Sequence, residues 1–177
     1  MSLETFYSRA GHLIRRLNQI TVAIYLQETE AVGLTTVQFA ALEMIGEVPN
    51  IDQASLSAMI AFDKTTILKV IEKLLDKGLI TRVRSDEDRR SNKLHITPAG
   101  REAMRRVLSM MERIEQRILA PLPAEDQRKF LEMLTQLVHV NNIYSRAPLD
   151  AKVWDDAVAK QKKRGGAKTA SRAAKPG

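Results

Sequence analysis

The chain has 177 residues, 28 Lys plus Arg against 21 Asp plus Glu, a formal net charge of +7, 44% apolar residues and no cysteine. That length fits one domain with an ample core, and the missing cysteine excludes disulfides, thiolate metal sites, cysteine nucleophiles and thiol redox sensing. The charge is confined: residues 160–177 hold seven Lys or Arg and no acid, so residues 1–159 balance 21 bases against 21 acids.

From the N-terminus, Leu3, Phe6, Ala10, Leu13, Leu17, Ile20 and Ile24 keep an unbroken 3-4-3-4 spacing. The spacing predicts one long helix over residues 1–33 whose apolar seam lies either in the core or against a second subunit. Thr35-Thr36-Val37-Gln38 is a capping box, and the helix it opens turns Phe39, Leu42 and Ile45 inward before Pro49-Asn50. Asp52 caps a short helix with Leu56, Met59 and Ile60. Asp63 caps another with Ile67, Val70, Ile71, Leu74 and Leu75, and Gly78 stands at its left-handed end.

Residues 79–84 and 93–97 then read as two strands joined by a polar loop, Ser85 to Asn92, too long for a tight turn. Thr97-Pro98 starts a helix with Met104, Val107, Met111, Ile114 and Ile118, which Pro121 and Pro123 end. A last helix runs through Phe130, Leu134 and Leu137 to about Tyr144, and a short stretch around Trp154 is a further helical candidate. From Lys160 the composition buries no apolar area and predicts disorder.

The expected fold class is mainly α with a small β-hairpin wing (α+β). A winged helix-turn-helix at 34–97 stands between dimerisation helices at 1–33 and 98–147, with an extension at 148–177 that carries the basic tail.

Three segments carry a resemblance: Leu74-Leu75-Asp76-Lys77-Gly78-Leu79-Ile80-Thr81-Arg82, Asp86-Glu87-Asp88-Arg89-Arg90, and Leu94-His95-Ile96-Thr97-Pro98-Ala99-Gly100. In order and spacing they resemble the end of the recognition helix, the wing tip and the wing-to-helix junction of the MarR family of bacterial transcription regulators. Residues 35–42 are similar to that family's second helix, and the likeness spans roughly residues 35–146. It implies a homodimer that binds double-stranded DNA, responds to a small effector that is often aromatic and anionic, and takes no cofactor.

A recognition helix meets base edges near its N-terminus. Here that helix presents Lys64, Thr65, Thr66, Lys69 and Lys73. The threonines suit base edges and thymine methyls, the later lysines suit phosphates, and Asp63 is a cap in either case. Around the wing the expected contacts are Arg84, Arg89, Arg90, Ser91, Asn92 and Lys93. The resemblance implies that Arg90 reaches a minor groove, where narrow A·T tracts concentrate negative potential, braced by Asp88. Residues 63–93 sum to +3, against −3 for 1–62 and zero for 94–159. The excess charge coincides with the segment expected to face DNA.

His12 and Arg16 are candidate effector contacts, Arg16 as a partner for a carboxylate; both also fit ordinary packing or solvation. Nothing in the sequence supports an enzyme or a metal site: His12, His95 and His139 are isolated, and Glu125-Asp126 falls in a first helical turn, where acids suit the dipole. No apolar run approaches the roughly 18 residues of a membrane span. With no secretion signal at the N-terminus, a cytoplasmic protein is expected. The rival reading is an architectural DNA-binding protein that relies on its basic tail.

Overall fold

The computed structural model describes residues 3–84, 92–145 and 147–148. Two N-terminal helices, α1 (Leu3–Tyr7) and α2 (Ala10–Glu28), lead into α3 (Thr36–Glu47), the short strand β1 (Ile51–Asp52), α4 (Gln53–Met59) and α5 (Lys64–Asp76). Strands β2 (Ile80–Arg84) and β3 (Asn92–Ile96) follow, then α6 (Pro98–Leu119), α7 (Ala124–Asn141) and a 3-10 turn (Asn142–Tyr144). Among the described residues no helix is long and apolar enough to cross a membrane.

The predicted caps form as hydrogen bonds. The Thr35 hydroxyl accepts from the Gln38 amide at 3.2 Å while Gln38 Oε1 accepts from the Thr35 amide, a complete capping box. Asp52 accepts from the Ser55 amide at 2.8 Å, and Thr97 from the Gly100 amide at 3.0 Å. Gly78 ends α5 with φ +65°, a conformation open to glycine at no steric cost.

The expected single N-terminal helix is two. Ser8 Oγ donates to the Thr5 carbonyl oxygen and Arg9 takes extended backbone (φ −68°, ψ 134°), so the ladder breaks between α1 and α2. Across the break the rings of Phe6, Tyr7 and His12 pack edge to face, with centroids 4.9 to 5.4 Å apart. The final helix also tightens to 3-10 geometry before Tyr144.

The sheet is antiparallel in the order β1-β3-β2. β2 and β3 form the expected wing, with Ile80 opposite Ile96 and Arg84 opposite Asn92. β1 is unforeseen: Ile51 pairs with Leu94 and Asp52 with Lys93.

The core lies where α3, α4, α5, the sheet and α6 meet, around Leu42, Leu56, Ile67, Ile71, Leu74, Ile80, Leu94 and Val107. Burying each such side chain stabilises by about 1.5–3 kcal/mol. α2 reaches this core through Tyr25 and is tied to α6 by Glu28, which pairs with both Arg113 and Arg117. The linker after α2 is held by Arg106, whose guanidinium donates to the Ala31 carbonyl oxygen, and by Lys77, whose Nζ donates to that of Gly33.

Candidate nucleic-acid interface

The reading helix is set by the turn before it. α4 ends at Met59 with Ile60 as its cap, Ala61 adopts the left-handed φ of 53°, and Ser57 Oγ donates to the Phe62 carbonyl oxygen at 2.5 Å. Asp63 then caps α5 twice over: Oδ1 accepts from the Thr66 amide at 3.0 Å and Oδ2 from the Thr66 hydroxyl at 2.6 Å. The Thr66 hydroxyl, followed by its amide, holds the Asp63 carboxyl below its ordinary pKa.

Ile67, Val70, Ile71 and Leu74 fix the inner face of α5 in the core. Its outer face presents Lys64, Thr65, Leu68, Lys69, Glu72, Lys73 and Asp76. Four of the five expected recognition residues are therefore exposed together. The fifth, Thr66, is half-buried with its hydroxyl given to the cap. Lys73 lies 4.0 Å from Asp76, an exposed pair worth well under 1 kcal/mol.

Beside α5, the wing places Arg84 and Asn92 opposite each other at the last described pair of the hairpin. Lys93 is turned to Asp52 at 3.6 Å, with both side chains partly buried, and thus fastens the wing to the start of α4. The Ser55 amide, helped by Lys93, holds the Asp52 carboxyl below its ordinary value. Asp88, Arg89, Arg90 and Ser91 lie outside the described residues.

Between α5 and the wing is a notch of about 380 Å³ lined by Gln53, Lys64, Ile71, Arg82 and Asn92. It brings Lys64 of α5 and Arg82 of β2 to the lining of one cavity. Gln53 and Arg82 are additions to the expected set. In sequence Arg82 sits among the residues that carry the family likeness, but only the fold brings it beside Lys64.

The candidate effector residues are separated. His12 belongs to the ring group with Phe6 and Tyr7, and Arg16 Nη1 donates to Gln19 Oε1 at 3.0 Å. A larger crevice, about 1010 Å³, lies between α2, the α4–α5 turn and α7. Its walls include Ile14, Met59, Leu134, Val138, His139 and Tyr144, and neither His12 nor Arg16.

A capped helix-turn-helix with a β-hairpin packed beside its second helix is a winged helix, a DNA-binding fold. The MarR family profile matches residues 34–92. A Thauera aromatica protein assigned to transcriptional regulation of the hcr operon is 31% identical over 73% of this chain and 81% of its own. An HTH-type transcriptional repressor of Mycobacterium bovis, Mb2911, is 28% identical over 72% of this chain and 91% of its own. Among solved structures, Bordetella bronchiseptica BpsR, whose DNA binding is regulated by 6-hydroxynicotinic acid, superposes with TM-score 0.69 at 27% identity. That match covers 75% of this chain and 94% of BpsR. The chain belongs to the MarR family of transcription regulators.

Proposed function

We propose that the chain is a homodimeric repressor that holds a pseudo-palindromic operator and is released from it by a small aromatic, anionic effector. One observation carries the DNA reading: Lys64, Thr65, Lys69 and Lys73 stand on one exposed face of a helix whose other face is buried. The wing and the Lys64–Arg82 notch flank that face. In this reading Thr65 meets bases, with Thr66 seated behind it, and the lysines and Arg82 meet phosphates. Arg84, Arg89, Arg90, Ser91, Asn92 and Lys93 belong to the wing contact, with Arg90 in the minor groove braced by Asp88.

The dimer reading rests on apolar surface. Leu13, Ile14 and Ile20 on α2 and Leu137, Val138 and Val140 on α7 are each about half exposed, as are Phe6 and Tyr7, and Ile143 and Tyr144 more so. Apolar faces of this kind mark interaction surfaces, and the occupant assigned to these is a second copy of the chain. Residues 1–33 and 98–147 then form the dimerisation arms around the reader at 34–97. The crevice between arm and reader is the effector site we favour, because a ligand there binds arm-to-reader spacings unequally. The acid that regulates BpsR supports an aromatic carboxylate, with His139 at the crevice and His12 and Arg16 on the same N-terminal arm as Ile14.

The charge of residues 160–177 favours a second reading, an architectural protein anchored by its tail. Binding of promoter and random duplexes across a salt series, with and without that segment, separates the two. A regulator keeps its preference for promoter DNA after truncation, whereas an architectural protein loses most of its binding. Arg90→Ala is expected to weaken operator binding with folding intact. A monomer in sedimentation at working concentration, or an Arg90→Ala variant that binds like wild type, overturns the docking reading.

A further inference from the structure

Among the described residues from α3 to β3, two large apolar side chains are exposed: Leu68 on α5, at 39%, and Val83 on β2, at 52%. The other exposed large apolar residues all lie on α1, α2, α6, α7 and the 3-10 turn. Val83 pairs across the wing with Lys93. Leu68 is the one on the helix assigned to the major groove.

Leu68 sits in the second turn of α5. On the helix surface its neighbours are Lys64 four residues before, Thr65 three before and Glu72 four after. Lys64 and Ile71 line the notch against the wing, which places Leu68 on the flank of α5 nearest that notch. It is not needed for packing, since Ile67, Val70, Ile71 and Leu74 fill the core side. A lysine or glutamine there would serve the helix about as well. Base edges in the major groove are hydrogen-bond donors and acceptors except for one apolar group, the C5-methyl of thymine.

We propose that Leu68 is a specificity-determining residue that reads a thymine methyl in each half-site, next to the base met by Thr65. The inference rests on α5 entering the major groove, as proposed above. Recognition by apolar contact supplies sequence preference without a hydrogen bond. It complements the lysines of the same helix, which supply affinity without preference.

The probe is the set of duplexes that the full-length chain enriches from a random DNA pool. Each consensus thymine is replaced in turn by deoxyuridine, which removes the methyl and leaves the hydrogen-bonding edge unchanged. At one position per half-site the wild-type chain is expected to lose about fourfold in affinity per methyl. Leu68→Ala, an exposed change to the best helix former, is expected to melt like wild type and to bind the thymine and uracil duplexes equally. The proposal is overturned if Leu68→Ala keeps the full discrimination, if Thr65→Ser abolishes it instead, or if no consensus thymine shows a methyl effect. A pool that yields no enriched sequence sinks the groove assignment itself, and the role of Leu68 with it.

Discussion

A methyl group built on Gly100 would stand 2.1 Å from the carbonyl oxygen of Leu79 and 2.8 Å from the side chain of Ile96. Thr97 draws the two chain segments together. Its amide donates to that same carbonyl oxygen at 3.0 Å, and its hydroxyl to the Gly78 carbonyl oxygen at 2.8 Å. The start of α6 is thereby pressed onto the turn that follows α5. Because the obstacle is backbone, Gly100→Ala is expected to destabilise by about 3 kcal/mol, the upper end of the overpacking range. Gly11→Ala, in the first turn of α2 with nothing within 4 Å of the added methyl, is expected to leave stability unchanged or slightly raised. Denaturant titration of both variants checks the contrast.

The Asp63 cap predicts a dependence on acid. Its carboxyl and that of Asp52 lie below their ordinary values, chiefly through the Thr66 hydroxyl and the Ser55 amide respectively. A depressed folded pKa means that the contribution is present above the unfolded value, about 3.9, and is lost as pH falls through the folded one. Asp63→Ala is expected to lower the melting temperature near neutrality, whereas Asp63→Asn keeps most of the cap. Melting in a pH series tests this: if the Asp63→Asn variant loses stability in acid as steeply as wild type, Asp63 is not a source of the slope.

How much of this was legible in sequence depended on range. Thr35, Asp52, Asp63 and Thr97 each bond an amide three residues on, so their caps were readable from local pattern alone. The break at Ser8–Arg9 was not, because apolar spacing reports which face is buried and not whether the backbone ladder continues. β1 has two residues and forms only because Leu94 and Lys93 arrive from far along the chain. The Arg82–Lys64 notch and the Glu28–Arg117 pair are likewise long-range, the latter joining residues 89 apart. Residue type alone singles out His12 and Arg16, but helix direction places Ile14 and neither of them at the crevice. Leu68 falls outside the Ile67, Val70, Ile71, Leu74 row, and only the fold shows that it is exposed.

Glu43 carries the opposite sign from the caps. Burial raises its pKa, and Glu47 one turn on adds repulsion. Among the described residues no ion pair compensates it. A raised folded pKa makes the contribution favourable below the unfolded value and lost as pH rises through the folded one. Glu43→Gln, neutral throughout, is therefore expected to melt above wild type near neutrality, with the gap closing in acid. A gap that stays constant with pH would assign the effect to packing instead of charge.

Tyr25 tests the joint between arm and reader. The residue is 4% exposed and its ring lies 6.3 Å from that of Phe39, where α2 meets α3. Burial pushes its pKa up to about 12, opposed in part by the neighbouring Thr29 hydroxyl. No hydrogen bond between the two hydroxyls closes, however: Thr29 Oγ1 donates to the Tyr25 carbonyl oxygen at 2.8 Å, and the phenol is left buried without a partner among the described residues. An unsatisfied buried polar group costs about 1–3 kcal/mol, so Tyr25→Phe is expected to raise the melting temperature. The same variant should resist alkali better. The raised pKa withholds stability from the wild-type fold as pH rises through about 12, and phenylalanine has no proton to lose. Thermal melts at neutral pH, followed by an alkaline titration of the folded signal, measure both effects. A Tyr25→Phe protein less stable than wild type near neutrality would show that the phenol makes a favourable contact in solution, across the joint through which an effector would act.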